Sequence, residues 1–411
     1  MIDRTKYSDN VLTLGVVQFV EALAFLLPQS FYPMYITSLG ATVASVGVFI
    51  SAFTLSSALF SPQIGRLSDR IGRKKLILIG LSGDVVFGVL TGLAPSWHWL
   101  LVVRLLNGAL SAAATLPTEA LIVDSSPIHS RGEILGFTSA CAMAGRWTGP
   151  IFGGTIQWAS NSLGLSLIES YRIPFFVDSL LALGAVLLVA WKVVDSSPRQ
   201  NDPAESTTEK TRMHFTTSMM VVVFFGFTYG GALGLTMPLT ALLYNDKFGV
   251  EPVTIGAIIS LTGLIGLASS WVAGRFSDRV GRKPVLAVGE GLGRLMGFFL
   301  PLMPSVNLTA LCHFFRKTGF SIGKPAMDGL KADVAPVEAR GEYFGYFNIA
   351  YSVGDIAFPV VGTYLYATFL NSRFNLGGLA FPGYALPYFL SSTLGFIGLA
   401  SVLFLVRSQK R

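Results

Sequence analysis

The sequence contains little charge. Only 13% of its 411 residues are Asp, Glu, Lys or Arg, whereas 52% are hydrophobic. Soluble proteins carry about 25% charged residues, so this chain has too little charge to cover a surface that faces water. This composition argues against a large soluble protein with buried helices.

Other kinds of site are also missing from the sequence. The only two cysteines, Cys141 and Cys312, fall inside apolar stretches, so we expect no disulfide framework. No metal-ligand spacing or nucleophile triad appears, and the nucleotide-binding pattern GxxxxGK[ST] is absent. We therefore expect no enzymatic activity and no cofactor, and we expect a proton gradient to supply the energy.

Long apolar stretches are what the sequence has in abundance. Twelve of them are long enough to cross about 30 Å of hydrocarbon as helices. The predicted spans are 11–35, 44–64, 75–95, 98–124, 132–157, 174–194, 216–244, 253–273, 284–304, 307–333, 341–367 and 385–407. The sequence thus predicts an all-α membrane protein with twelve transmembrane helices.

The distribution of cations predicts the orientation of these helices. With the amino terminus inside, the inner segments hold 20 Lys and Arg, and the outer loops hold only Arg172, Lys247 and Arg373. This is the positive-inside bias, so we expect a multi-pass protein of the plasma membrane with both termini cytoplasmic. The net charge of +7 therefore indicates topology and does not indicate nucleic-acid binding.

The chain contains an internal repeat. GRLSDRIGRKK at 65–75 recurs as GRFSDRVGRKP at 274–284, with 8 of 11 positions identical and an offset of 209. The same offset relates Pro150 to Pro359 and Gly145 to Gly354. We predict two six-helix halves, 1–194 and 216–411, joined by a polar cytoplasmic linker at 195–215.

The repeated cationic segment is expected to be a loop that follows the second helix of each half. It resembles the signature loop of the major facilitator superfamily, and the resemblance covers essentially the whole chain. It implies two pseudo-symmetric six-helix bundles that work by alternating access. In each half, the arginines of the loop can pair with an acid at the end of the fourth helix. The predicted gating residues are Asp69, Arg70, Arg73, Asp124, Asp278, Arg279, Arg282 and Asp333. The alternative is that the cations only fix topology.

Two further motifs resemble the drug or metabolite:proton antiporter branch of that superfamily. Arg104 begins an R-x-x-N-G pattern on the fourth helix, where the resemblance implies a role in proton transfer. The fifth helix carries GxxxGPxxGG, formed by Gly145, Gly149, Pro150, Gly153 and Gly154. A structural ion pair and simple helix packing are the respective alternatives. Arg146 departs from the second motif and requires either an acidic partner or a substrate.

Carboxylates inside the predicted spans are candidates for proton coupling, because a buried carboxylate without a partner takes up protons readily. Glu21 is the first choice, since its helix contains no cation. A basic partner on another helix is the alternative. We assign proton coupling to Glu21, Arg104, Glu119, Asp328 and Asp355. Asp84, Asp178 and Glu290 complete the list of embedded candidate acids, and Glu290 is predicted to pair with Arg294 four residues later.

The tenth span carries an unusual basic stripe, formed by Arg316, Lys317, Lys324 and Lys331. Facing a cavity, it would suit a substrate with negative charge or many acceptors. The alternative is that the stripe neutralises acids on other helices. The predicted substrate-binding residues are Glu21, Arg104, Arg146, Arg316, Lys317 and Lys324.

Together, these patterns and the resemblance predict a secondary transporter that exports a small organic solute in exchange for protons by alternating access, most simply as a monomer. A proton-linked importer or a facilitator of an anionic metabolite is the first alternative. A non-transporting receptor or a lipid-handling protein is the second.

Overall fold

A computed structural model describes residues 8–195, 215–336, 339–376 and 378–406. The contacts within it divide the chain into two units. The first consists of residues 1–40, 52–210 and 251–260, and the second of 41–51, 211–250 and 261–411. The division into the halves 1–194 and 216–411 stays a prediction. Apart from its two end residues, the predicted linker 195–215 lies outside the described residues, as do the two chain ends.

The helices before the linker are α1 (Asp9–Leu26), α2 (Tyr32–Ser38), α3 (Val46–Ile71), α4 (Arg73–Gly92), α5 (Trp97–Asp124), α6 (Arg131–Ser162) and α7 (Leu167–Lys192). Those after it are α8 (Thr217–Thr236), α9 (Leu239–Phe248), α10 (Pro252–Val280), α11 (Arg282–Phe299), α12 (Val306–Val334), α13 (Arg340–Phe369) and α14 (Leu386–Leu405). One antiparallel hairpin, which the sequence did not predict, pairs β1 (Arg373–Leu376) with β2 (Leu379–Pro382).

In the described part of the chain, nine segments are long and apolar enough to cross a membrane. Three further helices, α6, α12 and α13, are 32, 29 and 30 residues long. They contain embedded charges such as Arg146, Lys317 and Asp355. Together these segments account for the twelve predicted spans. The first span is broken where Pro28, which has no N–H, opens a short 3₁₀ turn at Leu27–Ser30.

The repeated cationic segment is not the loop that the sequence predicted. Helix α3 continues to Ile71 and α10 continues to Val280, so most of each segment is helical. The chain turns only at Gly72 and Gly281, where φ is 95° and 102°. Residues that carry a side chain rarely adopt such a positive φ. A single glycine is therefore enough to end one long helix and begin the next.

Each unit has its own apolar core. In the first, Val11, Leu14, Leu81 and Leu121 bring α1, α4 and α5 together. In the second, buried side chains from α8, α11, α12, α13 and α14 form the corresponding cluster. The polar residues considered next are set into these two cores.

Candidate functional site

Three charged residues from three other helices lie within electrostatic range of Asp84 inside the first unit. Asp84 on α4 interacts electrostatically with Glu21 on α1, Asp178 on α7 and Arg104 on α5. Asp178 also interacts with Arg104. All four side chains are partly buried. We call these four residues the acidic cluster. Its three carboxylates and one guanidinium give it a net charge of −2 when all are ionised.

A glycine allows the two aspartates to approach each other. Gly88 lies one turn after Asp84 on α4, and a Cβ added there would stand 3.3 Å from Oδ2 of Asp178 and 3.2 Å from the carbonyl of Phe175. Because the position carries no side chain, α4 and α7 pack closely at the depth of the two acids.

Aromatic rings surround the arginine of the cluster. The guanidinium carbon of Arg104 lies 4.4 Å from the ring centre of Phe53, 5.2 Å from that of Tyr32 and 5.8 Å from that of Phe25. Within the described residues, Arg104 has no carboxylate at ion-pair distance, and its Nε has no hydrogen-bond partner. Cation–π contacts stabilise the charge and leave N–H donors available to a ligand.

Several uncharged polar atoms near these residues in the sequence are also buried without a partner. They are Oε1 of Gln18, Oε1 of Gln29, the hydroxyl of Tyr32 and Oδ1 of Asn107. Buried polar groups in proteins are almost always satisfied. Atoms of this kind on α1, on the turn and short helix that follow it, and on α5 are typical of a site that water or a solute completes.

The sequence placed Asp84 and Asp178 among the embedded candidate acids, but the assignment of coupling residues did not include them. They come from helices whose mutual contact no sequence spacing reveals. The aromatic residues around Arg104 were also missed, because aromatic side chains are common in every span. Of the five predicted coupling residues, only Glu21 and Arg104 belong to the acidic cluster.

The second unit contains a fully buried ion pair. Nη2 of Arg294 donates to Oε2 of Glu290 over 2.9 Å, and both side chains are 1% exposed. This confirms the predicted local pair. The guanidinium also lies 4.6 Å from the ring centre of Phe320 on α12.

A second buried arginine of this unit lies beside the next turn of α11, since a Cβ added at Gly297 would stand 3.3 Å from Nε of Arg316. Arg316 on α12 donates to the hydroxyl of Thr236 over 2.6 Å and has no carboxylate at ion-pair distance among the described residues. Nearby, Nδ1 of the buried His313 has no hydrogen-bond partner. Glu290, Arg294 and Arg316 sum to +1, opposite in sign to the acidic cluster.

Two lysines of the predicted basic stripe share one carboxylate on their own helix. Nζ of Lys324 lies 3.1 Å from Asp328, and Nζ of Lys331 lies 3.5 Å from the same carboxylate. The two ion pairs place Asp328 between two lysines. The sequence suggested that the stripe binds an anionic substrate or neutralises acids on other helices. Pairing with an acid of the same helix was not among these interpretations. Lys317 is partly buried.

The remaining predicted site residues lie on three different helices and differ in how exposed they are. Glu119 on α5 and Arg146 on α6 are exposed, whereas Asp355 on α13 is partly buried. Asp355 makes no ion pair with another described residue of its unit. Their predicted roles in coupling or substrate binding stay predictions.

The cationic segments make the same ion pair in both units. Arg73 pairs with Asp124, and Nε of Arg282 lies 2.6 Å from Oδ2 of Asp333. Arg70, Asp278 and Arg279 are exposed, and the side chain of Asp69 lies outside what the structure describes. The pairs have the expected geometry, while their role in gating stays a prediction.

The glycines of α6 pack as the motif suggested. A Cβ at Gly145, Gly149 or Gly153 would stand under 3.0 Å from a backbone carbonyl of α1 or of the 3₁₀ turn that follows it. Gly154 packs in the same way on Pro252, and the carbonyl of Pro150 approaches Gly256. Only glycine permits this backbone contact.

Comparisons with known proteins agree with this architecture. The model of the Major Facilitator Superfamily matches residues 14–359 and 222–411. The multi-drug resistance efflux pump PmrA of Streptococcus pneumoniae is 26% identical over 365 residues, which are 87% of this chain and 89% of that protein. The multidrug resistance protein MdtG of Klebsiella pneumoniae is 26% identical over 374 residues, 88% of each chain.

Solved structures share the fold. A bacterial homologue of the human lysosomal transporter Spinster, in an inward-facing and unoccupied conformation, superposes with a TM-score of 0.81 at 15% identity, over 97% of this chain and 96% of that one. A mutant form of the nucleoside transporter NupG gives a TM-score of 0.74 at 14% identity, over 97% and 100%. This chain is a multi-pass membrane transporter and belongs to the major facilitator superfamily.

Proposed function

We propose that this transporter exports small organic solutes in exchange for protons, by alternating access, and that the acidic cluster of the first unit carries both the proton and the solute. The observation that carries the proposal is the excess of three carboxylates over one guanidinium at Glu21, Asp84, Asp178 and Arg104. No further cofactor enters the proposal.

The charge balance of the cluster links the two ligands. Arg104 can compensate only one of the three carboxylates, so the other two favour protons or a positively charged group of the solute. Protons and a cationic solute therefore compete for the same charge. Competition of this kind is the thermodynamic requirement for exchange, because each ligand weakens the binding of the other.

Similarity to the relatives supports the direction of transport. PmrA is named as a multi-drug efflux pump, and 87% of this chain aligns with it.

The cationic distribution supports an orientation with both termini in the cytoplasm. Reporter fusions at the two termini test that orientation, and an external reporter signal from either would contradict it.

Transport by the purified protein in liposomes tests the exchange. With ethidium as the probe and an imposed pH gradient, we expect accumulation that collapses when the gradient is dissipated, together with proton movement in the opposite direction. Flux that ignores the gradient would contradict proton coupling. Glu21→Gln, Asp84→Asn and Asp178→Asn should each reduce the coupled proton movement.

A matched control is available at Glu251, whose side chain is exposed at the start of α10. Glu251→Gln removes one carboxylate without touching the cluster, and coupled transport should persist. If all four variants behave alike, the acidic cluster is not the coupling site.

The buried cation of the second unit favours a second candidate, uptake of an anionic metabolite. Arg316 is 8% exposed and has no acidic partner among the described residues, and an organic carboxylate would compensate it. With benzoate as the first probe, thermal stabilisation that disappears in Arg316→Gln would favour this candidate over cation export.

A further inference from the structure

A wide apolar groove runs along the second unit near its cationic segment. It has a volume of about 670 Å³ and lies between α10 and α11, with one residue of α12 at its floor. Its lining includes Val272 and Phe276 from α10 and Val288 from α11. The hydroxyl of Ser269, also in the lining, is satisfied by the carbonyl of Ile265. The surface is suited to a hydrocarbon chain and to no polar ligand.

The internal repeat explains why the groove exists. Three lining residues of α10 are small, Ala268, Ser269 and Ala273. At the offset of 209, the first half has large side chains at the same places, namely Leu59, Phe60 and Ile64. The second half therefore lacks side-chain volume that its counterpart has. The opening lies on the surface of the unit, where Val272, Phe276 and Val288 are 58–65% exposed, and its apolar lining suits a hydrocarbon chain.

Cations without acidic partners stand at one end of this groove. Arg279 follows Val272 and Phe276 by seven and three residues, so it projects from the lining side of α10. Arg275 stacks on Trp271, with its guanidinium carbon 3.9 Å from the ring centre. Both arginines are exposed and make no ion pair with described residues. Asp278 lies between them in the sequence and is also exposed, and it makes no ion pair with either arginine.

The other cations of the segment are already engaged. Arg282 pairs with Asp333, and Lys283 donates to carbonyls at the end of α14. Arg275 and Arg279 are therefore the two cations of this segment that remain available to an anion. Trp271 beside them is typical of the membrane interface, which is the depth of a phosphate group.

We propose that this groove is a binding site for an anionic phospholipid. One acyl chain lies along Ala268, Val272 and Phe276, and Arg275 and Arg279 hold the phosphate and the anionic headgroup. The apolar lining recognises the chain, and the two unpaired guanidiniums select negative headgroups over zwitterionic ones. The site is separate from the acidic cluster and from the solute that the protein transports.

Retention of phosphatidylglycerol by the purified full-length protein tests this site. The protein is equilibrated in detergent micelles with phosphatidylglycerol or phosphatidylcholine, and bound lipid is measured by native mass spectrometry. We expect preferential retention of phosphatidylglycerol. Ala268→Leu combined with Ser269→Phe restores the bulk present in the first half and should abolish retention of both lipids. Leu264→Phe, on an exposed part of the same helix, adds bulk outside the lining and should retain the lipid.

The charge is tested by a pair of variants matched through the repeat. Arg275→Gln with Arg279→Gln should weaken phosphatidylglycerol binding about tenfold or more, whereas Arg66→Gln with Arg70→Gln makes the same change in the first half and should not. These surface substitutions remain informative if the groove-filling variant does not fold. Equal retention of the two lipids by the unmodified protein would overturn the proposal. So would unchanged binding in a well-folded groove-filled variant, or equal losses in the two arginine variants.

Discussion

Nε of Arg282 forms an ion pair with Oδ2 of Asp333 over 2.6 Å, which joins the first residue of α11 to the last turn of α12. The corresponding residues of the first half, Arg73 and Asp124, make the same pair between α4 and α5. The same ion pair is therefore present at equivalent positions of the two repeats.

These ion pairs are expected to matter more for transport than for stability. The side chains of Arg282 and Asp333 are 22% and 38% exposed, so the pair contributes about 1 kcal/mol or less to folding. We predict that Asp333→Asn slows transport several-fold while the unfolding temperature changes little. The charge swap Arg282→Asp with Asp333→Arg should recover part of the rate. A swap no better than either single variant would show that the ion pair itself is not required.

A second pair of contacts links the cationic segments to the last helix of each half. Nζ of Lys74 donates to the carbonyl of Ala190 over 2.9 Å, near the end of α7. Nζ of Lys283 donates to the carbonyl of Leu403 over 3.1 Å and to that of Val406, at the end of α14. Lysines satisfy carbonyls that a helix end leaves without intrahelical partners.

Removal of the lysine should loosen the end of α14. Lys283→Met keeps the aliphatic stem and loses the donor, and we expect destabilisation by about 0.3–1 kcal/mol, with faster amide hydrogen exchange at 403–406. Lys283→Arg keeps a positive donor and serves as the control. Exchange that is equally fast in both variants would mean that the charge does not hold this helix end.

Features that depend on residues close together in the sequence were predicted well, and contacts between distant helices were not. Predicted span ends at 98–124 and 307–333 fall within one residue of α5 and α12, because apolar runs are local. The pairing of Arg73 with Asp124 was also predictable, since two copies of one motif could be compared. The meeting of Asp84 with Asp178 was not, because it depends on how α4 packs on α7 at Gly88. The helical continuation through 65–71 was missed because Gly65 suggested an early turn.

The buried pair in α11 should be the most sensitive electrostatic contact in the second unit. Glu290 and Arg294 are both 1% exposed, and removal of one partner leaves an uncompensated charge in the interior. We predict that Glu290→Gln or Arg294→Met alone destabilises the protein by about 3–5 kcal/mol. Denaturation of the purified protein measures this cost.

The double variant provides the decisive comparison for that pair. Glu290→Leu with Arg294→Met removes both charges and replaces them with apolar volume, so it should cost less than the two single changes added together. Additive losses would indicate that the residues act through separate contacts, for example the stacking of Arg294 on Phe320.

Close packing of α6 on α1 leads to the last prediction, because two glycines in similar helical settings should respond in opposite ways. A Cβ at Gly149 would stand under 3.0 Å from the carbonyl of Leu23, whereas one at Gly184 on α7 would have nothing within 4 Å. Alanine is the better helix former by about 1 kcal/mol. Gly184→Ala should therefore be neutral or stabilising, while Gly149→Ala should destabilise by about 1–3 kcal/mol as α1 is pushed away. Unfolding temperatures of the two purified variants provide the measurement, and equal temperatures would contradict the view that α1 and α6 touch through their backbones.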